Sequence, residues 1–250
     1  KLKKILDRSG KKYFLAHCPE RAFPGKTMYE MVYNDRVIGG IDKTAEKLSV
    51  AIYKTFIKGE IITTDATTAE TVKILENAYR NVNIAFANEI AKASHVIGIN
   101  VWEAISLANH HPRVNISSPG PGVGGHCIPL DPWFLVEAVP KYGAFLRRSL
   151  IINEEMGGFV IKLLLNEARK GKLQLKKIGV LGVAYKGNID DPRETPALGI
   201  IRKLKSGGFQ VRCSDPYVKH FEFPITAQEE LLRWADAVVI LTDHKVYKKV

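Results

Sequence analysis

The run KIGVLGV at 177–183 is followed by TPALGIIRKLK at 195–205, Gly207-Gly208, FQVRC at 209–213, Asp215-Pro216, AQEELLRW at 227–234 and AVVIL at 237–241. The first, third and last of these runs are short and read as strands, the first of them as a buried one. Between them lie segments with helical period, the first stopped by Gly207-Gly208. Strand and helix in alternation predict a parallel sheet that receives ligands at its carboxyl edge. The turn after the first strand, Gly182-Val183-Ala184-Tyr185-Lys186-Gly187, is not a G-x-G-x-x-G fingerprint. Asp215 stands where a ribose-binding acid would stand, but without the glycines a dinucleotide site is not expected here.

Upstream, the pattern changes. Thr67 and Glu70 have the spacing of a capping box, and no proline follows until Pro112. Apolar residues dominate that interval (Val72, Leu75, Tyr79, Val82, Phe86, Ile90), predicting a long helix buried on more than one side, against a second copy of the chain among other surfaces. Lys73, Asn77 and Arg80 share one face of it and are either functional or a solvated stripe. Further upstream, strand-like runs at 13–16, 37–39 and 60–63 surround a helix expected to begin near Thr44. This is α/β texture opening on a charged helix, expected to be the end of a domain whose beginning is absent. The expected fold class is therefore α/β: the end of a Rossmann-like domain at 1–64, a central helical catalytic and dimerisation region at 65–165, and a second Rossmann-like domain at 166–250, incomplete at its carboxyl end.

With 250 residues, 46% hydrophobic and 25% charged, the chain can bury a sizeable core. Its formal charge of +11 raises nucleic-acid binding, but the lysines are scattered and no basic stretch is interleaved with aromatics. A small polyanion suits the charge better. Cys18, Cys127 and Cys213 are odd in number, far apart and without metal-ligand spacing. No disulfide framework and no metal site are expected, and a reducing cytoplasm is the expected location. No apolar run has the length of a membrane span, so no membrane partner is expected either.

The segment richest in chemistry is SPGPGVGGHCIPLDP at 118–132. Its glycines let backbone approach a ligand and leave N–H groups free to point at it. Cys127 lies just before a helix whose start is marked by Asp131, read as a cap, and Pro132, read as the first helical residue. A thiol at a helix N-terminus is favoured as thiolate, the nucleophilic form. Glycine-rich loops rarely bury a core residue, so a functional cysteine is expected.

Five stretches, in order, carry a family resemblance: HCPERAFPGK at 17–26, AETVKILENAYRNVNIAFANEIA at 69–91, GPGVGGHCIPLDP at 120–132, GVAYKGNIDDPRETPA at 182–197 and ADAVVILTDH at 235–244. Together they resemble the UDP-glucose/GDP-mannose dehydrogenase family along essentially the whole chain. The resemblance implies NAD-dependent, two-step oxidation of a nucleotide sugar's primary alcohol to a carboxylate. It makes Cys127 the covalent nucleophile, Lys73 the proton donor or acceptor at the substrate oxygen, and Asn77 with Asp131 the remaining acid–base set. Glu20 would lie near the reacting carbon. Arg21, Ala22, Arg80, His111, Arg113, Gly124, Tyr185 and Lys186, with Lys73 and Asn77, would meet the nucleotide sugar, Arg113 reaching a neighbouring subunit's site. Arg193 would meet the cofactor.

Members acting on UDP-glucose usually carry an acid where Pro24 stands, a serine at His126 and a lysine at Leu130. The form here is similar to the branch that oxidises UDP-N-acetylhexosamines, with UDP-N-acetylmannosamine the first expectation and UDP-N-acetylglucosamine the second. A homodimer or higher oligomer through the long helix is also implied. The rival expectations are an inactive, dimerising nucleotide-sugar-binding fragment and a nucleic-acid-binding protein.

Overall fold

The computed structural model describes residues 2–22 and 25–249. The chain forms two compact units, divided between Glu76 and Asn77.

In the first unit, α1 (Leu2–Asp7) and α2 (Thr27–Tyr33) accompany a three-stranded sheet. Its strands are β1 (Ala16–His17), β2 (Arg36–Gly40) and β3 (Ile61–Asp65), in the order β1-β2-β3. β2 runs antiparallel to β1 and parallel to β3, pairing Ile38 with Thr63. Every residue of β2 is buried, as its central place demands. The strand expected at 13–16 is confined to Ala16–His17. α3 (Lys43–Tyr53) follows β2, its start fixed by Asp42, whose carboxylate accepts from Ala45 N at 2.8 Å. β3 runs directly into α4 (Ala66–Ile97). The expected capping box gives way to Asp65, which accepts from the N–H and hydroxyl of Thr68 at 3.0 and 2.5 Å. Thr67 and Glu70 lie inside the helix. Gly39 is required: a Cβ there would collide with the Asp65 carbonyl oxygen and lie 2.6 Å from Ala69 Cβ.

The second unit contains the rest of α4, α5 (Val101–Ala108), α6 (Asp131–Ala138), α7 (Ala144–Lys170), β4 (Lys177–Leu181), α8 (Pro196–Ser206), β5 (Gln210–Ser214), α9 (Gln228–Trp234), β6 (Ala237–Ile240) and a 3₁₀ turn (Lys245–Lys249). The sheet is parallel in the order β5-β4-β6, as the alternating pattern predicts, with Val180 opposite Cys213 and Val239. Ile178, Val180, Ile200, Ile201 and Leu204 form its core with α8. Each such side chain contributes about 1.5–3 kcal/mol on burial. Thr195 caps α8 by accepting from Ala197 N, Pro196 takes its first position and Gly208, at φ +88°, follows its end.

One long element escapes the sequence pattern. α7 spans 27 residues with Gly157-Gly158 in its middle, which dilutes the apolar period. Packing explains the first glycine, since a Cβ on Gly157 would lie 3.1 Å from Ile200 Cγ1, where α7 and α8 approach. Val160, Ile161 and Leu164 then pack on the sheet's core. Among the described residues no helix is long and apolar enough to cross a membrane.

Candidate active site

In the second unit the site grows from the asparagines of α4. Asn77, Asn81 and Asn88, four and seven residues apart, are all buried on one side of the helix. A buried amide must be paired, because each unmet donor or acceptor costs about 1–3 kcal/mol. Asn77 Nδ2 donates to Asp131 Oδ2 at 2.6 Å, and Asn81 Nδ2 to the carbonyl of Ile128 at 3.2 Å. Asn81 Oδ1 accepts from the Ser149 hydroxyl at 3.0 Å, and its main-chain oxygen accepts from Asn153 Nδ2 at 3.2 Å. Asn88 Nδ2 donates to Asn153 Oδ1 at 2.8 Å, while its Oδ1 accepts from Gly120 N at 2.8 Å. Asn83 Oδ1 accepts from Ser117 N at 2.7 Å. The glycine-rich loop is thus stapled at both ends to α4, and α4 to α7.

Cys127 rides on that loop, exposed, in the turn that opens α6. Its carbonyl accepts from Leu130 N at 3.1 Å and Asp131 N at 2.8 Å. Asp131 is not the cap that the sequence suggests. The cap position is Leu130, which supplies no side-chain bond, and Asp131 and Pro132 are the first two helical residues. The aspartate faces Asn77 instead, which leaves its other oxygen for a ligand or water. Gly124 and Gly125 lie against the next segment: a Cβ on Gly124 would be 2.7 Å from Tyr185 Cβ and from the Glu194 carbonyl oxygen.

That segment brings further expected residues to the same loop. Tyr185 is half-buried beneath Gly125, and Tyr185 N donates to the Asp191 carbonyl at 3.0 Å. Burial, and after it the nearby Arg80 charge, hold the Lys186 ammonium below its ordinary value against the opposing pull of Asp243. Arg80 and Lys186 therefore concentrate positive charge, as a diphosphate requires. Arg193 donates through Nε and Nη2 to both oxygens of Asp191, at 2.6–3.1 Å. This pairing holds the Asp191 carboxyl below the usual range. His111 and Arg113 belong to an exposed turn in which Arg113 N donates to His111 Nδ1 at 3.3 Å. Arg113 lines a different, apolar groove of about 470 Å³, with Tyr79, Phe86, Ile116, Phe145 and Ile152.

In the first unit, Glu20 and Arg21 are both tied down. Glu20 Oε1 accepts from Arg21 N and Ala22 N at 2.7 and 2.6 Å, and Oε2 from the buried Arg36 at 2.9 Å. Partial burial alone would raise this carboxyl; the two amides and Arg36 outweigh it and hold it below the usual range. Glu20 is thus an anion held in place by its neighbours. Arg21 bonds Glu76 at 2.8 Å and the carbonyl of Asp35. Lys73, partly exposed, stands one turn before Asn77 on α4. Pro24 lies outside the described residues.

Three domain models of one family match the chain in order: its NAD binding domain at residues 1–57, central domain at 67–154 and UDP binding domain at 179–250. The chain belongs to the UDP-glucose/GDP-mannose dehydrogenase family. Within this family it is 48% identical over 248 residues to a UDP-N-acetyl-D-mannosamine dehydrogenase of Methanococcus maripaludis, covering 99% of this chain and 58% of the relative. It is 43% identical over 242 residues to an NDP-N-acetyl-D-galactosaminuronic acid dehydrogenase of Ralstonia solanacearum, covering 94% and 57%. Among solved structures it is similar to the UDP-D-ManNAc dehydrogenase of Pyrococcus horikoshii, with a TM-score of 0.94 and 43% identity over 99% of this chain and 60% of that one. The chain spans less than two thirds of the length of each.

Against this dehydrogenase architecture, sequence reasoning missed the supporting amides Asn81, Asn83, Asn88 and Asn153. A signal existed: Asn77, Asn81 and Asn88 repeat at helical spacing on the face that carries Lys73. It also missed the use of Asp215, whose carboxylate takes no ribose. Its Oδ2 accepts from Val183 N and Ala184 N at 2.7 and 3.2 Å, its Oδ1 from Tyr217 N and Val218 N at 2.9 and 3.0 Å. Burial would raise this carboxyl; the amides of Val183, Val218 and Tyr217, with His244, overcome that and hold it below its usual range.

Proposed function

We propose that the protein carrying this chain is an NAD-dependent nucleotide-sugar 6-dehydrogenase that oxidises the C6 alcohol of a UDP-N-acetylhexosamine, UDP-N-acetylmannosamine first, to the uronate. The observation that carries this reading is an exposed thiol on a glycine-rich turn whose following helix presents a carboxylate paired to a buried amide, Cys127 beside Asp131 and Asn77. The relatives' names support the substrate class.

The first unit offers a partial fit to a nicotinamide cofactor. Parallel strands β2 and β3 end at Gly40 and Asp65 and lead into α3 and α4. One first-turn donor of each helix is already taken, Ala45 N by the carboxylate of Asp42 and Thr68 N by that of Asp65, and these two negative charges suit an uncharged part of the cofactor better than its phosphates. Arg193 is the further residue assigned to it. NAD⁺ would supply the hydride acceptor, one molecule for each of the two hydrides that leave C6.

The chain's own residues supply the rest. Lys73 would donate to the substrate's C6 oxygen, where negative charge builds in both oxidations. The Cys127 sulfur would add to the aldehyde carbon while that oxygen gains a proton, giving a thiohemiacetal and then, after the second oxidation, a thioester. Asp131, steadied by Asn77, would take a proton from the water that displaces the sulfur and releases the acid. Arg80 and Lys186 would neutralise the diphosphate, and Glu20 would fix a negative charge near the reacting carbon.

Uronate and NADH formation by the whole protein tests the activity. UDP binding without NADH would instead make this a nucleotide-sugar-binding module. UDP-N-acetylmannosamine is expected to exceed UDP-glucose in kcat/KM by about tenfold to a hundredfold, the effect of leaving one buried acetamido partner unpaired. Parallel assays should include UDP-N-acetylglucosamine; equal turnover of acetylated and plain sugars would overturn the substrate assignment.

The apolar groove lined from α4 and α7 supports a homodimer, in which Arg113, one of its lining residues, would reach the partner's site. Phe86 and Phe145 are 50% and 68% exposed there. Equilibrium sedimentation should give a mass at least twice that of the protomer, and a monomer would refute the assembly.

A further inference from the structure

The motif ADAVVILTDH ends on His244, a residue with no part in the chemistry above, yet the ring is 1% exposed. Its two nitrogens have different partners. Nδ1 accepts from Asn188 N at 2.9 Å and therefore carries no proton. Nε2 lies 3.0 Å from Asp215 Oδ2, an ionised carboxylate that can only accept, so the proton sits on Nε2. The neutral imidazole thus links a buried anion to a main-chain donor.

These two groups hold opposite ends of one short loop. Asp215 takes the amides of Val183 and Ala184 at its start, and His244 takes the amide of Asn188 at its end. Asn188 sits at φ +62°, in the left-handed region that asparagine tolerates better than most residues. Its side chain accepts from Lys245 N at 2.9 Å. Thr242 Oγ1 donates to the Ala184 carbonyl at 2.7 Å, and a Cβ on Gly187 would lie 2.6 Å from Asp243 Oδ1. The rings of Tyr217 and Tyr247 close over the imidazole at centroid distances of 5.0 and 5.4 Å. The residues suspended between the fixed ends are Tyr185, Lys186 and Gly187.

We propose that Asp215 and His244 form a buried clamp that positions the Tyr185–Lys186 loop for a nucleoside diphosphate, making His244 a positioning residue for substrate binding. This rests on the reading of Lys186 as a diphosphate contact, which has to be tested beside it.

The experiment uses the whole protein, with UDP alone as the probe in calorimetry and steady-state kinetics on the nucleotide sugar. Lys186→Ala is expected to weaken UDP binding about tenfold or more, the loss of a charge-assisted bond. An unchanged Kd in that variant would sink the reading of the loop itself. His244→Phe keeps the ring's shape and loses both bonds. It is expected to weaken UDP binding and raise KM by about tenfold, with kcat per folded site nearly unchanged. In His244→Asn, the amide oxygen stands where Nδ1 stood and restores most of the affinity. The double variant Lys186→Ala/His244→Phe should bind UDP no worse than Lys186→Ala alone, because both act through one contact. If Lys186→Ala weakens binding while both His244 variants melt lower but keep the parent Kd, the clamp is only structural and the proposal fails. Additive losses in the double variant would overturn it equally.

Discussion

Uronate production is expected to vanish in Cys127→Ala and to survive in Cys18→Ala and Cys213→Ala, all in the whole protein. The three thiols stand in different surroundings. Cys213 is fully buried, and that burial pushes its thiol up to about 12, so it stays protonated and inert. Burial also raises the Cys18 thiol, against the opposing effects of its bond to Tyr53 and the Arg36 charge. Cys127 alone of the three is exposed, and it alone lies on the turn that opens α6. Without its sulfur there is no thiohemiacetal to carry the aldehyde into the second oxidation. Because the side chain is exposed, the variant should melt within roughly 0.5 kcal/mol of the parent, and lost activity will not reflect lost fold. Uronate made by Cys127→Ala at the parent's rate would end the covalent mechanism.

Lys73→Ala should lower kcat by about a hundredfold to a thousandfold, the usual cost of removing one donor to a developing oxyanion. KM should change far less, since the ammonium acts mainly on charge that appears in the transition state. Lys73 is partly exposed on α4, where alanine is an excellent helix former, so stability should hardly move. A solvated helix stripe would also leave stability alone, but it predicts no kinetic effect. Near-normal kcat in a folded variant would remove Lys73 from the mechanism.

The parallel sheet was legible because β4 and β6 are unbroken apolar runs and because Thr195, Pro196 and Gly207-Gly208 mark both ends of α8. Local chemistry of that kind is written in neighbouring residues. α7 was not legible, since Gly157 in its middle answers to Ile200 more than forty residues away. Asp131 misled for the same reason. Its spacing before Pro132 is that of a cap, while its actual partner, Asn77, lies 54 residues earlier. The cysteine and the family motifs pointed to the candidate site, but of the asparagines that hold it only Asn77 was singled out. Amide side chains are common on exposed helix faces, and only burial shows that these must be paired.

The paired asparagines also act as a registration key. Two helices joined by hydrocarbon alone can slide by a turn, about 5.4 Å, and still find apolar neighbours. α4 and α7 cannot, because sliding would part Asn88 from Asn153 and Asn81 from Ser149 and leave buried amides unpaired. Asn88 holds Gly120 and Asn81 holds Ile128, the residues on either side of the loop that carries Cys127. The alignment of two long helices is thereby passed on to a single sulfur atom, and a chain that mates those helices one notch out of step would mis-aim Cys127 even with every catalytic residue present.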